Sequence, residues 1–219
     1  MLSSDKLEKE RNRLYDLSKF EREYDNFIIG GIDEAGRGPL AGPVVASCVV
    51  LDKNIEILYI NDSKKLSEKK RDVLYDEIID KCLAYGIGVV SEKIIDEINI
   101  LEATHKAMFI AYKSANKMLN DRIGKNIDCL FVDALRIKNI DIKQVPIIHG
   151  DRLSISIAAS SIIAKVYRDN LMKEYDKIFP AYNFLSNKGY GTKEHMEILR
   201  KVGPSEIHRQ SFLGFLNDK

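Results

Sequence analysis

The stretch "GGIDEAGRGPLAGPVV", residues 30–45, closes an apolar run with two adjacent acids, Asp33 and Glu34, then turns through glycines around one arginine. An apolar run bounded by turn residues reads as a strand entering a core. "FIIGGID" is that strand, and "VVASCVVL", residues 44–51, is the next after the glycine turn. "GIGVV", residues 86–90, makes a third, and the three predict an antiparallel meander. Charge at the inner end of a strand is costly unless something neutralises it.

Working outward, a helix is predicted from about Ser67 to Ala84, with Ser67 as its N-cap. A longer one follows from about Ile94 to Leu119. Its apolar stripe runs through Ile94, Ile98, Leu101, Met108, Tyr112, Ala115 and Leu119. His105 falls on that stripe and reads as a hydrogen-bonded core residue. "IDCLFVDA", residues 127–134, is nearly all apolar and predicts a strand buried on both faces. "VPIIHGD", residues 145–151, predicts a short fifth strand ending in Asp151. "SIAASSIIAKVYRDNLMKEYDKIF", residues 156–179, is helical, with small residues that allow close approach to a sheet. Within it, Lys165 and Asp169 have the spacing of a helix-surface pair. "GYGTKEHMEILRKVG" gives a glycine-flanked tyrosine, Thr192 as an N-cap, a short helix and a stop at Gly203-Pro204. Residues 4–24 read as a charged helix with the narrow stripe Leu7, Leu14, Leu17 and Phe20. The whole predicts a mixed sheet covered by helices.

The 219 residues suit one domain with a small appendage. A net charge of +1 selects no partner. Local basic clusters exist at Lys64, Lys65, Lys69, Lys70 and Arg71, and beyond Asp151, but solvated faces explain them equally well. Cys48, Cys82 and Cys129 are odd in number and lack C-x-x-C spacing, so they read as small buried hydrophobes in a reducing compartment. The first 25 residues hold no apolar signal core, and no run approaches the ~18 residues of a membrane span. The expectation is a cytoplasmic protein with no membrane contact.

Three predicted strands thus end in acids: Asp33 with Glu34, Asp133, and Asp151. Strand ends converge on the crevice of a layered sheet. Carboxylates gathered there stay ionised together only if a cation neutralises them. Oxygen donors alone favour Mg²⁺ or Mn²⁺ over Zn²⁺. Two such ions about 4 Å apart activate water and stabilise the leaving oxygen in phosphodiester hydrolysis. The bland alternative is that each acid is a turn residue bonded locally. Neighbours on a regular strand point to opposite faces, so Asp33 and Glu34 reach one ion pair only if the strand ends or bulges there. Gly36, Gly38 and Gly42 make a break natural.

"GIDEAGRGPLAGPVVAS" resembles the signature of the ribonuclease HII family. The likeness continues through "NDSKKLSEKKR", "NILEATHKAM", "LFVDA", "GDRLSISIAASSIIAKVYRD", "KGYGTKEH" and "GPSEIHRQSF", over about residues 28–213. It implies a ribonuclease H-like fold: a five-stranded mixed sheet flanked by helices, with an N-terminal helical extension (1–25) and a catalytic domain (26–219) that includes a C-terminal helical part. It implies an endoribonuclease that hydrolyses the RNA strand of RNA–DNA hybrids and cuts 5′ of single ribonucleotides embedded in duplex DNA, leaving 3′-hydroxyl and 5′-phosphate ends. Two ions, Mg²⁺ or Mn²⁺, are implied with substrate bound. Asp33, Glu34, Asp133 and Asp151 become the metal-binding and catalytic acids, with Asp33 shared by both ions. Gly36, Arg37 and Gly38 become the group that senses the 2′-hydroxyl. Tyr190 becomes the tyrosine that packs on a sugar at the RNA–DNA junction. Ser63, Lys64 and Lys65 become backbone-phosphate contacts. Arg37 favours type 2, since the related type 3 enzymes typically carry lysine there. His149 departs from the pattern, standing where many relatives have lysine. A monomer is expected, with the tail "FLGFLNDK" a candidate contact for a replication clamp. Competing readings are a non-catalytic module binding hybrid duplex, and another phosphotransferase of the same fold class.

Overall fold

The structure, a computed structural model, describes residues 4–216. The opening stretch forms β1 (Ile29–Ala35), which pairs antiparallel with β2 (Val44–Val50). β2 pairs antiparallel with β3 (Ala84–Val90), completing the expected meander. On its other side β1 pairs parallel with β4 (Cys129–Asp133), and β4 pairs parallel with β5 (Lys143–Ile147). The result is one five-stranded mixed sheet in the order β3-β2-β1-β4-β5.

Helices cover both faces. Before the sheet come α1 (Ser4–Leu17) and α2 (Lys19–Glu23). Within it lie α3 (Glu68–Lys81) and α4 (Glu92–Ile123), and after it α5 (Ile155–Ile178), α6 (Phe184–Asn187) and α7 (Lys193–Val202). On one face Ile32, Val44, Ala46 and Cys48 pack against Ala103, Ala107, Met108 and Ala111 of α4. On the other, Val49 packs against Ala158, Ala159, Ile162 and Ile163 of α5, with Leu74 and Ile78 of α3 beyond. The N-terminal helices join this second core through Leu14 and Leu17, while Phe20 and Tyr24 meet the Phe131 ring edge-on. Glu21 accepts hydrogen bonds from the Ser156 amide and from the Ser154 and Ser156 hydroxyls, holding the first turn of α5. The three cysteines are free and buried, as expected. Among the described residues no helix is long and apolar enough to cross a membrane.

Four local expectations are corrected. β1 neither ends nor bulges at the acids: its pairing with β2 continues through Asp33↔Ser47, Glu34↔Ala46 and Ala35↔Val45. Asp151 is not at a strand end but four residues past β5, in a 3₁₀ turn spanning Gly150–Arg152. The long helix is broken at Asn99, whose backbone is left-handed (φ 70°) and whose side-chain oxygen accepts from the Leu101 and Glu102 amides, recapping the second segment. That break shifts the apolar stripe, so Leu101 is exposed and Ile95 is buried. Lys165 and Asp169 are not a surface pair: Asp169 is buried, bonded to Lys165 at 2.6 Å with Arg71 of α3 at 3.7 Å.

Helix and sheet touch backbone to backbone at Gly31, where a methyl group would collide with the Ser156 carbonyl and the Ile157 amide of α5. Neither element can yield, because both are hydrogen-bonded along their length. Gly31→Ala should therefore cost about 3 kcal/mol of stability, whereas Gly214→Ala, with open space around it, should stay within about 0.5 kcal/mol. Urea unfolding midpoints read the difference; matching midpoints would contradict this contact.

Candidate active site

β1 and β4 run side by side only as far as Ile32↔Val132. One residue further, Asp33 stands level with Asp133, the last residue of β4. Beyond that level β1 is paired on its β2 side alone, and both Asp33 and Glu34 feel the Asp133 charge although their side chains alternate between faces. Asp33 is 5% exposed and faces α5. There a serine network receives it. The Asp33 amide donates to Ser160 Oγ at 3.0 Å, Ser160 donates to the Ser47 carbonyl at 2.6 Å, and the Ser161 hydroxyl favours the charged form of the Asp33 carboxyl. Asp33 Oδ1 also accepts from the Glu34 amide at 2.7 Å. Burial first, then the charges of Glu34 and Asp133, push the Asp33 carboxyl well above the usual range. Burial raises Glu34 too, against the opposing pull of Arg37.

Asp133 Oδ1 accepts from the Gly150 amide at 2.8 Å, which ties β4 to the turn carrying Asp151. Asp151 is buried, and its pKa is raised by burial and then by Asp62 and Asp133. Asp62 was not among the expected site residues. It is 1% exposed and accepts from the Lys64 amide and from Arg152 Nε. Burial opposes its charge, but the Lys64 amide and the Arg152 guanidinium outweigh that and hold its pKa below the usual range. In "NDSKKL" the acid precedes a basic pair, which by itself reads as a solvated loop.

The remaining expected residues divide. Lys64 is exposed, and its charge favours ionisation of both Glu34 and Asp151. Lys65 is exposed as well, but Ser63 is buried with its hydroxyl on Ser161 at 2.8 Å, turned inward. Arg37 is exposed and lies 3.5 Å from Glu34. Gly36 is buried with a left-handed φ of 97°, and a Cβ there would strike the Arg168 side chain. Gly38 sits beside Tyr190: a Cβ on Gly38 would come 3.8 Å from Tyr190 Cε1. Tyr190 is 44% exposed. His149 is exposed with a left-handed backbone (φ 58°) immediately before the Asp151 turn.

Two buried arginines, unremarked in the sequence, hold this loop. Arg209 donates to the carbonyls of Gly36, Arg37 and Gly42. Arg168 donates to those of Ala41, Pro43 and Lys188. Burial pushes Arg209 down to about 9, which leaves it charged at neutral pH.

Among the described residues no three His, Cys, Asp or Glu side chains are grouped so as to hold a metal ion as they stand. The donor set nevertheless fits a hard divalent cation. It is all carboxylate oxygen, and three of the four acids have raised pKa values from burial and mutual repulsion that a cation would relieve.

The family model for ribonuclease HII matches residues 30–214. The ribonuclease HII of Lachnoclostridium phytofermentans is 54% identical over 210 residues, covering 95% of this chain and 80% of that one. That of Clostridioides difficile is 55% identical over 212 residues, with the same coverage. Among solved structures, the ribonuclease H2 of Pyrococcus horikoshii OT3 aligns with a TM-score of 0.65 at 26% identity, covering 87% of this chain and 97% of that chain. The ribonuclease HII of Archaeoglobus fulgidus, solved as a complex with PCNA, aligns at 0.67 and 24% with the same coverage. A Bst ribonuclease HIII in complex with Mn²⁺ aligns at 0.61 and 15%, covering 87% of this chain and 70% of that one. With the family model spanning the whole sheet and the acid-bearing segments, and relatives more than half identical along nearly the full chain, this chain belongs to the ribonuclease HII family, the type 2 ribonuclease H endonucleases.

Proposed function

We propose that this chain cleaves the RNA strand of RNA–DNA hybrids and cuts 5′ of single ribonucleotides in duplex DNA, leaving 3′-hydroxyl and 5′-phosphate ends. The observation that carries this reading is the crowding of buried and half-buried acids where β1 outruns β4. Asp33, Glu34, Asp133 and Asp151 are the proposed cation ligands, with Asp33 shared between two sites for Mg²⁺ or Mn²⁺. Bound divalent cations supply an activated water and charge neutralisation at the leaving oxygen.

The chain's own groups do the rest. The Glu34 amide holds the Asp33 carboxyl through Oδ1. The Gly150 amide orients Asp133, and Arg152 with Asp62 backs the Asp151 turn. Lys64 and Arg37, exposed and near enough to influence Glu34, with exposed Lys65 next in the chain, offer cations to backbone phosphates; such contacts position a duplex without reading its sequence. Ser63 acts from behind, through Ser161.

Gly38 supports the sugar-sensing role. Gly36 is glycine because φ and Arg168 demand it. Gly38 has no such demand: its φ is ordinary and an added Cβ would meet only the Tyr190 ring edge, at van der Waals distance. A glycine that folding does not require, beside an exposed tyrosine, suits a backbone that a ligand must approach closely. A 2′-hydroxyl, both donor and acceptor, marks the ribonucleotide. The protein is proposed to act as a cytoplasmic monomer. The tail 212–219 is proposed as a clamp contact, prompted by the PCNA-bound Archaeoglobus relative; residues 217–219 lie outside the described residues.

Four outcomes test this function. Asp33→Asn should lower Mg²⁺-dependent cleavage by about three orders of magnitude while duplex binding survives; near-normal turnover would refute the ligand assignment. EDTA should abolish cleavage of hybrid and single-ribonucleotide duplexes, and an all-DNA duplex should stay intact throughout. Gly38→Ala should leave the unfolding midpoint within about 1 kcal/mol of wild type yet reduce single-ribonucleotide cleavage about tenfold, a loss of roughly 1.4 kcal/mol in transition-state binding. Tyr190→Ala should cost more on the single ribonucleotide than on long hybrid, and equal losses would remove its junction role.

A further inference from the structure

His195, in the first turn of α7, and His208, in the loop that follows it, are 0% and 2% exposed. Their Nε2 atoms lie 3.0 Å apart. Neither belongs to the acidic crevice. Their partners fix where the protons are. The Ser205 N–H can only donate, and it points at His208 Nδ1 from 2.9 Å, so that nitrogen is bare. His208 therefore carries its proton on Nε2 and gives it to His195 Nε2, which must be bare in turn. His195 is left with its proton on Nδ1, 2.9 Å from the Tyr190 carbonyl, to which it donates. The three bonds run in one direction, from the Ser205 amide to Tyr190.

Both imidazoles must be neutral for this chain to exist, since a second proton would set N–H against N–H. Their surroundings meet that condition. The Tyr182 ring lies 4.9 Å from His208, and Phe184 packs on both histidines. Burial pushes both pKa values down, that of His208 to about 4. Nearby polar and charged groups turn elsewhere. The Tyr182 hydroxyl donates to the Gly203 carbonyl, Glu194 accepts from Asn183, and Arg209 is spent on the glycine-loop carbonyls.

The other end of the relay is fastened to the glycine loop. Ala41 and His208 form an antiparallel bridge; the Arg209 amide donates to the Leu40 carbonyl and the Gly42 amide to the Ile207 carbonyl, each at 2.8 Å. One imidazole thus moves with the loop that carries Gly38, and the other grips the backbone of Tyr190.

We propose that His208 and His195 are positioning residues, a two-imidazole relay that holds Tyr190 at a set distance from Gly38 and thereby tunes the preference for an isolated ribonucleotide. The proposal rests on reading Tyr190 as the residue that packs on the junction sugar.

The test compares cleavage of a single-ribonucleotide duplex with cleavage of long RNA–DNA hybrid, as a ratio of kcat/KM values. His208→Ala should lower that ratio about tenfold. His208→Gln, whose amide can still donate near the Nε2 position, should recover most of it. In a Tyr190→Ala background, His208→Ala should change the ratio no further. If Tyr190→Ala shifts the ratio and His208→Ala does not, the relay is overturned while the junction reading stands. If Tyr190→Ala leaves the ratio unchanged, the junction reading falls and the relay's purpose with it. Should the alanine variant fail to fold, ¹⁵N NMR of the wild type decides. His195 should be the Nδ1–H tautomer and His208 the Nε2–H tautomer, and the opposite tautomer at either residue would end the proposal.

Discussion

The cost of burying Asp33 governs the rest of the site. Its strand is antiparallel to β2 on one side and parallel to β4 on the other. β1 pairs with β2 as far as Ala35 but with β4 only as far as Ile32, so it outlasts β4 at the edge where the parallel strands end. Asp33 and Glu34 occupy that overhang. The stagger solves the facing problem without a bulge. With no neighbour on the β4 side, side chains pointing to opposite faces both have Asp133 within electrostatic range. Their mutual repulsion is then a property of the fold, and a bound divalent cation would relieve it.

Rigidity around the crevice comes from charge of the opposite sign used in an unusual way. Arg168 and Arg209 are nearly inaccessible, yet their hydrogen bonds go to backbone carbonyls, not to carboxylates. A buried carboxylate would have satisfied each guanidinium with two parallel bonds to one side chain. Carbonyls instead gather several chain segments around one cation. Arg209 draws Gly36, Arg37 and Gly42 together, and Arg168 adds Ala41, Pro43 and Lys188. The loop between β1 and β2 is thereby fixed against the segment leading to Tyr190 before any substrate arrives. Preorganisation of this kind spares the ordering cost at binding.

How much was legible follows from which physical signals are local. The five strands, the caps at Ser67 and Thr192, and the acids at 33, 34 and 133 all announce themselves within a few residues, through periodicity and turn chemistry. Asn99 did not: its helix break depends on a left-handed residue whose side chain recaps the chain, and the apolar stripe looks continuous across it. Asp62 was hidden by its basic neighbours, because only the fold brings Arg152 and Asp151 to it. Arg168 and Arg209 went unremarked, since nothing in a sequence shows that backbone carbonyls from distant segments will surround them. Lys165 and Asp169 failed for the same reason in reverse: the spacing is that of a surface pair, and only the packing of α3 on α5 buries it.

The glycines of the signature separate what folding needs from what chemistry needs. Gly31 is required by the approach of α5, Gly36 by its φ and by Arg168, and Gly189 by its φ and the Ala41 carbonyl. Any protein keeping this packing would need them, whatever it binds. Gly38 fits none of these reasons, and glycine carries a conformational-entropy cost of about 0.5–1 kcal/mol relative to alanine where no special geometry is required. The folded chain itself supplies no reason for glycine at that position. Its setting beside the exposed Tyr190 ring is consistent with the sugar-sensing role proposed for it.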